Sequence, residues 1–328
     1  MSRADIREFY NKYRRIVDTR LAAVQEPNEP ASVYEPIRYV LSSGGKRLRG
    51  VLVLLCCEAV GGRVRQAVDA AAAIEILHNF TLVHDDVMDH ADLRRGKMTV
   101  HRRWDANVAI LAGDELIAQA YRVLLRTRTP NERRILEIFT DAFVRVCEGQ
   151  GLDKEFENRR DVDLRSYFTM IGKKTARIMA AASEIGALAG GATPAQAAAL
   201  RSYGLHLGMA FQVQDDLLDI SGDGGDFGKK IGGDIVEGKK TYLLLTALKT
   251  ARGQDRRLLR SIRPGTRVER FMIRQVRDIY GRTGTLESAQ REIAARTRRA
   301  KRALLGLRQG TPVARLGELA DALLGRTS

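Results

Sequence analysis

Apolar residues along this chain recur at intervals of three and four almost throughout, the spacing that lines one face of an α-helix. The period predicts helices over about residues 3–24, 64–89, 105–127, 131–157, 161–189, 194–220, 239–252, 267–281, 285–306 and 312–324, with another apolar run from Val51. Helix-breaking residues mark the joins: Pro27 and Pro30, Gly44-Gly45, Gly61-Gly62, Pro130-Asn131, Gly190-Gly191 with Pro194, a Gly-rich stretch from Asp223 to Gly233, and Pro264-Gly265. No stretch has the length of an interdomain linker, and no repeat marks a solenoid. The expected fold class is therefore all-α: a single bundle of about ten or more helices, one domain over residues 1–328.

Composition narrows this further. Apolar residues make up 44% and charged residues 29%, which suits a globular chain. Seven prolines and 6% aromatics favour helix over sheet. Cys56, Cys57 and Cys147 form no CxxC pair, which excludes a zinc ribbon and a disulfide framework. The opening MSRADIREFY lacks an apolar signal region. The longest uncharged stretch, Ile185 to Leu200, has 16 residues, short of the ~20 that span a bilayer. The expectation is a soluble, cytoplasmic protein of a reducing compartment.

The net charge of +15 is unevenly spread. Residues 251–328 hold 19 basic and 7 acidic side chains, a net of +12, which leaves +3 for the rest. Such a region forms a solvated helical face, with peripheral contact to an anionic membrane as the functional alternative. No nucleic-acid motif or aromatic platform accompanies it, so no nucleic-acid partner is expected.

One short pattern occurs twice. Asp85-Asp86-Val87-Met88-Asp89 and Asp215-Asp216-Leu217-Leu218-Asp219 are both DDxxD, each at the polar end of an apolar helical pattern. Positions i and i+4 share a helix face, so Asp85 points with Asp89 and Asp215 with Asp219. Like charges on one face destabilise a helix, and a cation compensates them. Oxygen-only ligands suit Mg²⁺, which binds through a few carboxylates plus substrate phosphates. An EF-hand starting at Asp219 fails because Lys230 stands at its glutamate position. A P-loop over Gly233–Lys239 fails because Lys240 follows and two acids sit inside it.

Basic residues cluster nearby: Lys46, Arg47 and Arg49 after Gly44-Gly45, Arg94-Arg95-Gly96-Lys97, Lys173-Lys174-Thr175, Lys229-Lys230 and Lys239-Lys240. Acid and base alternating in this way describe a pocket for diphosphates, bridged by Mg²⁺ on one side and held by cations on the other. His78 lies seven residues before Asp85 and eleven before Asp89, within about 20° of both on a helix. Gln212 likewise shares a face with the second motif.

The strings GGKRLRG, FTLVHDDVMDHADLRRGKMTVH, GKKTA, FQVQDDLLDISGD and FGKKIGGDIVEGKKT, in this order over about residues 40–245, resemble the trans-isoprenyl diphosphate synthase (polyprenyl synthetase) family, most closely its archaeal geranylgeranyl type. The resemblance implies helices around a central cavity, a homodimer, and three Mg²⁺ bridging an allylic diphosphate to both acidic motifs. It implies Mg²⁺ on Asp85, Asp89, Asp215 and Asp219, with Asp86 and Asp216 completing the catalytic motifs. Isopentenyl diphosphate would contact Lys46, Arg49, His78 and Arg95. The allylic diphosphate would meet Arg94, Lys174, Thr175, Gln212, Lys229 and Lys239, with Lys174 and Lys229 also counted as catalytic. Gly50 and Met98 depart from the family, which usually has Pro at both places; neither removes a charged ligand.

The reaction implied is ionisation of the allylic diphosphate followed by attack of the isopentenyl double bond, with released diphosphate taking the proton. Thr175 and Gln212 would stabilise the carbocation. The product would grow along the first motif's helix past Thr81, Leu77 and Ile74; Thr81 is too small to stop it early. Phe80, five residues before the motif, resembles the C20 stop of archaeal geranylgeranyl diphosphate synthases. Farnesyl or longer synthases, a class I terpene cyclase and a regulatory subunit are the alternatives; the second DDxxD disfavours the cyclase, and the intact aspartates disfavour the subunit.

Overall fold

The computed structural model describes residues 3–24, 28–221, 232–265 and 268–324. Its helices are α1 (Arg3–Ala22), α2 (Ala31–Leu41), α3 (Leu48–Ala59), α4 (Val68–Met88), α5 (Val100–Arg103), α6 (Ala106–Leu124), α7 (Glu132–Asn158), α8 (Leu164–Ile171), α9 (Arg177–Ala189), α10 (Pro194–Ser221), α11 (Gly233–Glu237), α12 (Tyr242–Thr250), α13 (Gly253–Ser261), α14 (Arg270–Arg282), α15 (Thr285–Ala303) and α16 (Thr311–Leu324). A two-stranded hairpin of β1 (Leu93–Arg94) and β2 (Lys97–Met98) is the only sheet among the described residues. The fold is all-α, as the hydrophobic period predicts. None of the described helices is long and apolar enough to cross a membrane.

The described chain divides into two compact units. The first takes residues 1–143, 178–204 and 303–319, and the second takes 144–177, 205–302 and 320 onward.

In the first unit, α3 and α4 form the core. Val51 through Cys57 and Ala70 through Ala73, with Ile74, Ile76 and Leu77, are fully buried. The alanines of α4 let neighbouring helices approach closely while keeping high helix propensity. Gly186 of α9 lies against the backbone of Val53, where a Cβ would have no room. Gly62 and Gly190 meet each other at the ends of α3 and α9, a Cβ on Gly62 falling 2.5 Å from the Gly190 Cα. Gly62 and Gly190 end helices, as the sequence suggests, and all three glycines permit close backbone approach. Tyr203 donates to the Leu316 carbonyl at 2.8 Å, and Arg315 donates to the Tyr13 hydroxyl at 3.0 Å, which ties α16 to α10 and α1.

In the second unit, Phe156, Tyr167, Ile171, Val213, Leu217, Leu243, Leu244, Val276, Ile279, Tyr280 and Ile293 make the core. Aspartate or threonine N-caps start several helices of the chain: Asp105 accepts from the Val108 N–H at 2.9 Å, Asp163 from Ser166 at 2.8 Å and Thr241 from Leu244 at 3.3 Å.

Several elements differ from the sequence expectation. The predicted helix over 161–189 is three segments, since Gly172–Ala176 forms a π turn between α8 and α9. Periodicity cannot register a single wide turn that keeps the helix running. Segment α2 is absent from the sequence expectation, which takes Pro27 and Pro30 as the end of the first helix; Pro30 is the N-cap of α2, and Pro36 lies within it. The region 239–261 holds α12 and α13, the short α11 occupies the P-loop-like stretch, and the tiny hairpin carries no alternation to read.

Gly186→Ala is expected to lower stability by about 1–3 kcal/mol through overpacking. Gly151, mid-helix in α7 with nothing within 4 Å of where a Cβ would stand, should respond in the opposite sense. Its alanine variant gains roughly 0.5–1 kcal/mol from reduced backbone entropy, and urea denaturation of both variants checks the pair of signs.

Candidate active site

Each acidic motif ends a long helix. Asp85 and Asp86 lie in the last turn of α4 with Asp89 as its C-cap, and Asp215, Asp216 and Asp219 fill the last two turns of α10. A helix C-terminus already carries partial negative charge, so carboxylates there are locally unfavourable. The two motifs meet this in the same way: the middle aspartate turns inward. Asp86 is buried and accepts from Arg94 Nε at 2.8 Å and Nη2 at 2.5 Å. Burial still raises its pKa, against the pull of Arg94. Arg94 itself stays firmly charged: burial opposes this, but Asp86, then Asp85 and Asp89, outweigh it. Asp216 is buried and accepts from the Tyr167 hydroxyl at 2.7 Å, the Tyr242 N–H at 2.9 Å and Gln212 Nε2 at 3.1 Å. Burial raises it to about 6 despite those donors. The outer aspartates differ: Asp85, Asp89 and Asp219 are half-buried and Asp215 is exposed.

The second motif is crowded with like charge. Asp219 Oδ2 accepts from the Asp234 N–H at 3.1 Å, and its carbonyl accepts from Gly232 at 2.8 Å. The Asp234 carboxyl is pushed well above the carboxylate range by burial, then by Asp219 and Asp216, with Lys239 opposing. Such a crowded set of oxygen donors is of the kind that suits a hard divalent ion. Among the described residues no three His, Cys, Asp or Glu side chains close a metal cage by themselves.

The basic residues of the first unit converge around α4. Arg95 and Gly96 form the two-residue turn of the β1–β2 hairpin, with φ of 54° and 75°. The Arg95 guanidinium donates to the Gly44 carbonyl and lies against Gly45, where a Cβ would fall 2.9 Å from it. That contact is one physical reason for Gly44-Gly45. Arg47 is also left-handed, with φ of 51°, at the N-cap of α3. Its Nε donates to Asp18 at 2.9 Å and its Nη2 to the Leu41 carbonyl at 2.8 Å. Arg49 is half-buried, and its Nε is enclosed with no hydrogen-bond partner. Burial lowers its proton affinity, Glu75 raises it and Arg95 lowers it again. His78 is held well below its ordinary pKa by burial, then by Arg49, Arg95, Arg94 and Arg47, so it is neutral. The Tyr10 hydroxyl donates to the Lys46 carbonyl at 2.6 Å.

In the second unit the π turn presents GKKTA. Lys174 Nζ reaches Asp153 of α7 at 2.6 Å, and Thr175 donates to Gln212 Oε1 at 2.8 Å, extending the chain that ends on Asp216. Gly149 of α7 faces the bulged turn, and a Cβ there would meet the Lys174 Cα at 2.6 Å. Lys239 Nζ pairs with Glu237 at 2.5 Å. Lys229 lies outside the described residues. A pocket of about 410 Å³ in this unit is lined by Arg145, Phe168, Lys173 and Arg177 among others; of these only Lys173 belongs to a basic cluster expected from sequence, and none is among the residues that the resemblance assigns to substrate.

A family model described as Polyprenyl synthetase matches residues 30–278. The chain belongs to the polyprenyl synthetase family. It is 38% identical over 323 residues to the short chain isoprenyl diphosphate synthase of Methanothermobacter thermautotrophicus, covering 98% of this chain and 99% of that protein. The crystal structure of geranylgeranyl pyrophosphate synthetase from Pyrococcus horikoshii Ot3 matches with a TM-score of 0.91, 34% identity and 98% coverage of each chain. The geranylgeranyl pyrophosphate synthase from Corynebacterium glutamicum, complexed with isoprenyl diphosphate and magnesium, matches with a TM-score of 0.89 and 28% identity, over 97% of this chain and 99% of that one. This polyprenyl synthetase is a prenyltransferase of the geranylgeranyl/polyprenyl diphosphate synthase kind.

The structure of this polyprenyl synthetase also supplies residues that sequence reasoning missed. Tyr167, Asp153, Asp234 and Glu75 each bond or crowd an expected site residue. Tyr167 and Glu75 sit within apolar patterns and read as core, so their partners only appear once the helices pack. Asp234 lies inside the FGKKIGGDIVEGKKT string and could have been found from it. The expected chain-length residues are all on α4: Leu77 is fully buried, Thr81 donates to the His78 carbonyl at 2.8 Å, and Phe80 packs edge-on against His84 at 4.7 Å and Phe143 of α7 at 5.5 Å. The His84 ring occupies space over Gly113 of α6 that a Cβ would take, with Nε2 3.2 Å from the Ile110 carbonyl.

The neutral state of His78 has a measurable consequence. Its folded pKa lies below the unfolded value of about 6.5, so under that pH the unfolded chain binds a proton that the folded one refuses. Stability should therefore fall as pH drops below ~6.5, this one group contributing at most about 1.4 kcal/mol per pH unit. Denaturation midpoints of His78→Gln between pH 5 and 7 should be flatter than those of the unsubstituted protein.

Proposed function

We propose that this protein joins isopentenyl diphosphate head-to-tail to allylic diphosphates, giving a trans-polyprenyl diphosphate, with geranylgeranyl diphosphate (C20) as the main product. The observation that carries the reading is the shared construction of the two DDxxD motifs: each ends a long helix and withdraws its middle aspartate into hydrogen bonds, while the outer aspartates lie nearer the surface. Asp85, Asp89, Asp215 and Asp219 would hold Mg²⁺, three ions with substrate present. When bound, Mg²⁺ supplies charge neutralisation to the departing diphosphate.

The chain's own residues do the rest. Lys46, Arg49, Arg95 and neutral His78 bind isopentenyl diphosphate, Arg49 offering a buried donor that has no partner in the protein. Arg94, Lys174 and Lys239, with Lys229, bind the allylic diphosphate. Each of the first three rests on a carboxylate, Asp86, Asp153 and Glu237, which holds it extended until phosphate oxygens replace or join that partner. Thr175 and Gln212 turn oxygen dipoles toward the allylic cation, and Asp216 orients Gln212. The protein supplies no general base; the diphosphate takes the proton.

Phe80, wedged between His84 and Phe143, is the floor that ends growth. The chain acts as one catalytic domain over residues 1–328, as a cytoplasmic homodimer, and its basic C-terminal region touches the membrane that receives the product. The Methanothermobacter relative supports the prenyl-transfer reading, the Pyrococcus structure its C20 form, and the magnesium-bound neighbour the metal.

Incubation with labelled isopentenyl diphosphate, Mg²⁺ and each allylic primer, with chromatography of the products, tests this directly; C20 from farnesyl diphosphate is the expected result and no incorporation from any primer refutes it. Asp85→Asn and Asp219→Asn should each lower kcat by about 10²–10³-fold, the scale of losing one preorganised electrostatic element. Phe80→Ala should shift products beyond C20, whereas an unchanged C20 product removes Phe80 as the floor.

A further inference from the structure

Glu75 is a buried carboxylate that neither the metal sites nor the substrate contacts use. It lies on α4 three residues before His78, with a side chain only 2% exposed. An isolated buried carboxylate costs several kcal/mol or more, so its partners report its purpose. Its Oε1 accepts from the Gly50 N–H at 2.8 Å, and its Oε2 stands 4.0 Å from Arg47 Nη1, an atom with no hydrogen bond of its own. Its charge also raises the proton affinity of Arg49 and of Arg95 against burial and mutual repulsion.

Two separate needs meet at this one group. Helix α3 begins at Leu48 behind a left-handed Arg47 that gives no side-chain cap, so the N–H groups of its first turn lack intrahelical partners. Gly50 is the third residue of that turn, and Glu75 caps it from another helix with a full negative charge at the positive end of the dipole. The same turn carries Arg47 and Arg49, and both of their guanidiniums repel that of Arg95. Glu75 offsets that repulsion without standing in solvent, where it would compete for a diphosphate.

Gly50 is suited to this contact. A Cβ there would fall 3.0 Å from the Glu75 Cγ and 3.0 Å from Val17 Cγ1, so a side chain would press the clasp apart. Proline at this position would have no N–H to give. We propose that Glu75, clasped to the Gly50 N–H, is the positioning residue that holds the first turn of α3, and with it Arg49, at the isopentenyl diphosphate subsite. The inference rests on the assignment of that subsite above.

Steady-state kinetics of the full-length protein separate the two. The unsubstituted protein is assayed first with labelled isopentenyl diphosphate, farnesyl diphosphate and Mg²⁺; no incorporation there overturns the assignment of function and this proposal with it. Given turnover, Glu75→Gln, which keeps an oxygen acceptor and loses the charge, is expected to raise KM for isopentenyl diphosphate about tenfold, with KM for farnesyl diphosphate and kcat within about twofold. Gly50→Pro, which loses the N–H and keeps the charge, should shift the same KM by about threefold and in the same direction. A Glu75→Gln protein with native circular dichroism and unchanged or equally raised KM values for both substrates overturns the proposal. Should Glu75→Gln fail to fold, Glu75→Asp is decisive: the charge stays but falls short of Gly50, and the selective KM rise must persist for the proposal to stand.

Discussion

Negative charge at the negative end of a helix is the constraint around which both acidic motifs are arranged. A polypeptide gains nothing by ending α4 and α10 in three aspartates each, since the helix dipole and the neighbouring carboxylates all oppose them. The structure tolerates this by drawing one aspartate of each set inward. Asp86 goes to a guanidinium and Asp216 to two tyrosines and a glutamine, and the outer carboxylates lie nearer the surface. Local cost accepted at two equivalent places is a sign of function that packing does not explain.

The cations are arranged by two different means. Around α4, backbone conformation does much of the work: Arg47 and Arg95 both occupy left-handed geometry, a conformation that costs of order 1–3 kcal/mol and persists only where the surroundings impose it. The hairpin turn and the Gly44-Gly45 pair are the surroundings that impose it on Arg95. In the second unit, Lys174 on the π turn and Lys239 just after α11 are instead paired with carboxylates, Asp153 and Glu237. Arginines fixed by backbone keep their forks pre-aimed, while lysines held by an ion pair can swing to a phosphate at little cost.

Much of this was legible in the sequence, for reasons of length and period. Helices α4 and α10 show sustained apolar patterns that end at the aspartates, so the position of both motifs at helix ends follows from the pattern alone. The roles of Asp86 and Asp216 did not, because all three aspartates of a motif look alike until Arg94 and Tyr167 arrive from elsewhere in the chain. Glu75 read as part of an Ala-rich core helix, since only the approach of Gly50 gives it a donor. Segment α2 and the hairpin were lost for opposite reasons: prolines masked a real helix, and strands of two residues have no period to detect. The π turn is invisible to any periodic template, although the unusual GKKTA string marked its place by composition.

That π turn ties two distant positions into one inherited unit. The wide turn pushes the Lys174 backbone against α7 at the one point where Gly149 leaves room for it. Acquiring a side chain at position 149 would be tolerated only alongside loss of the surplus residue near 172, and that deletion would rotate Lys174 and Thr175 away by about 100°. Descendants of this gene are thus expected to change both places together or neither, so that an insertion or deletion in α8–α9 and a glycine replacement in α7 travel as a linked pair.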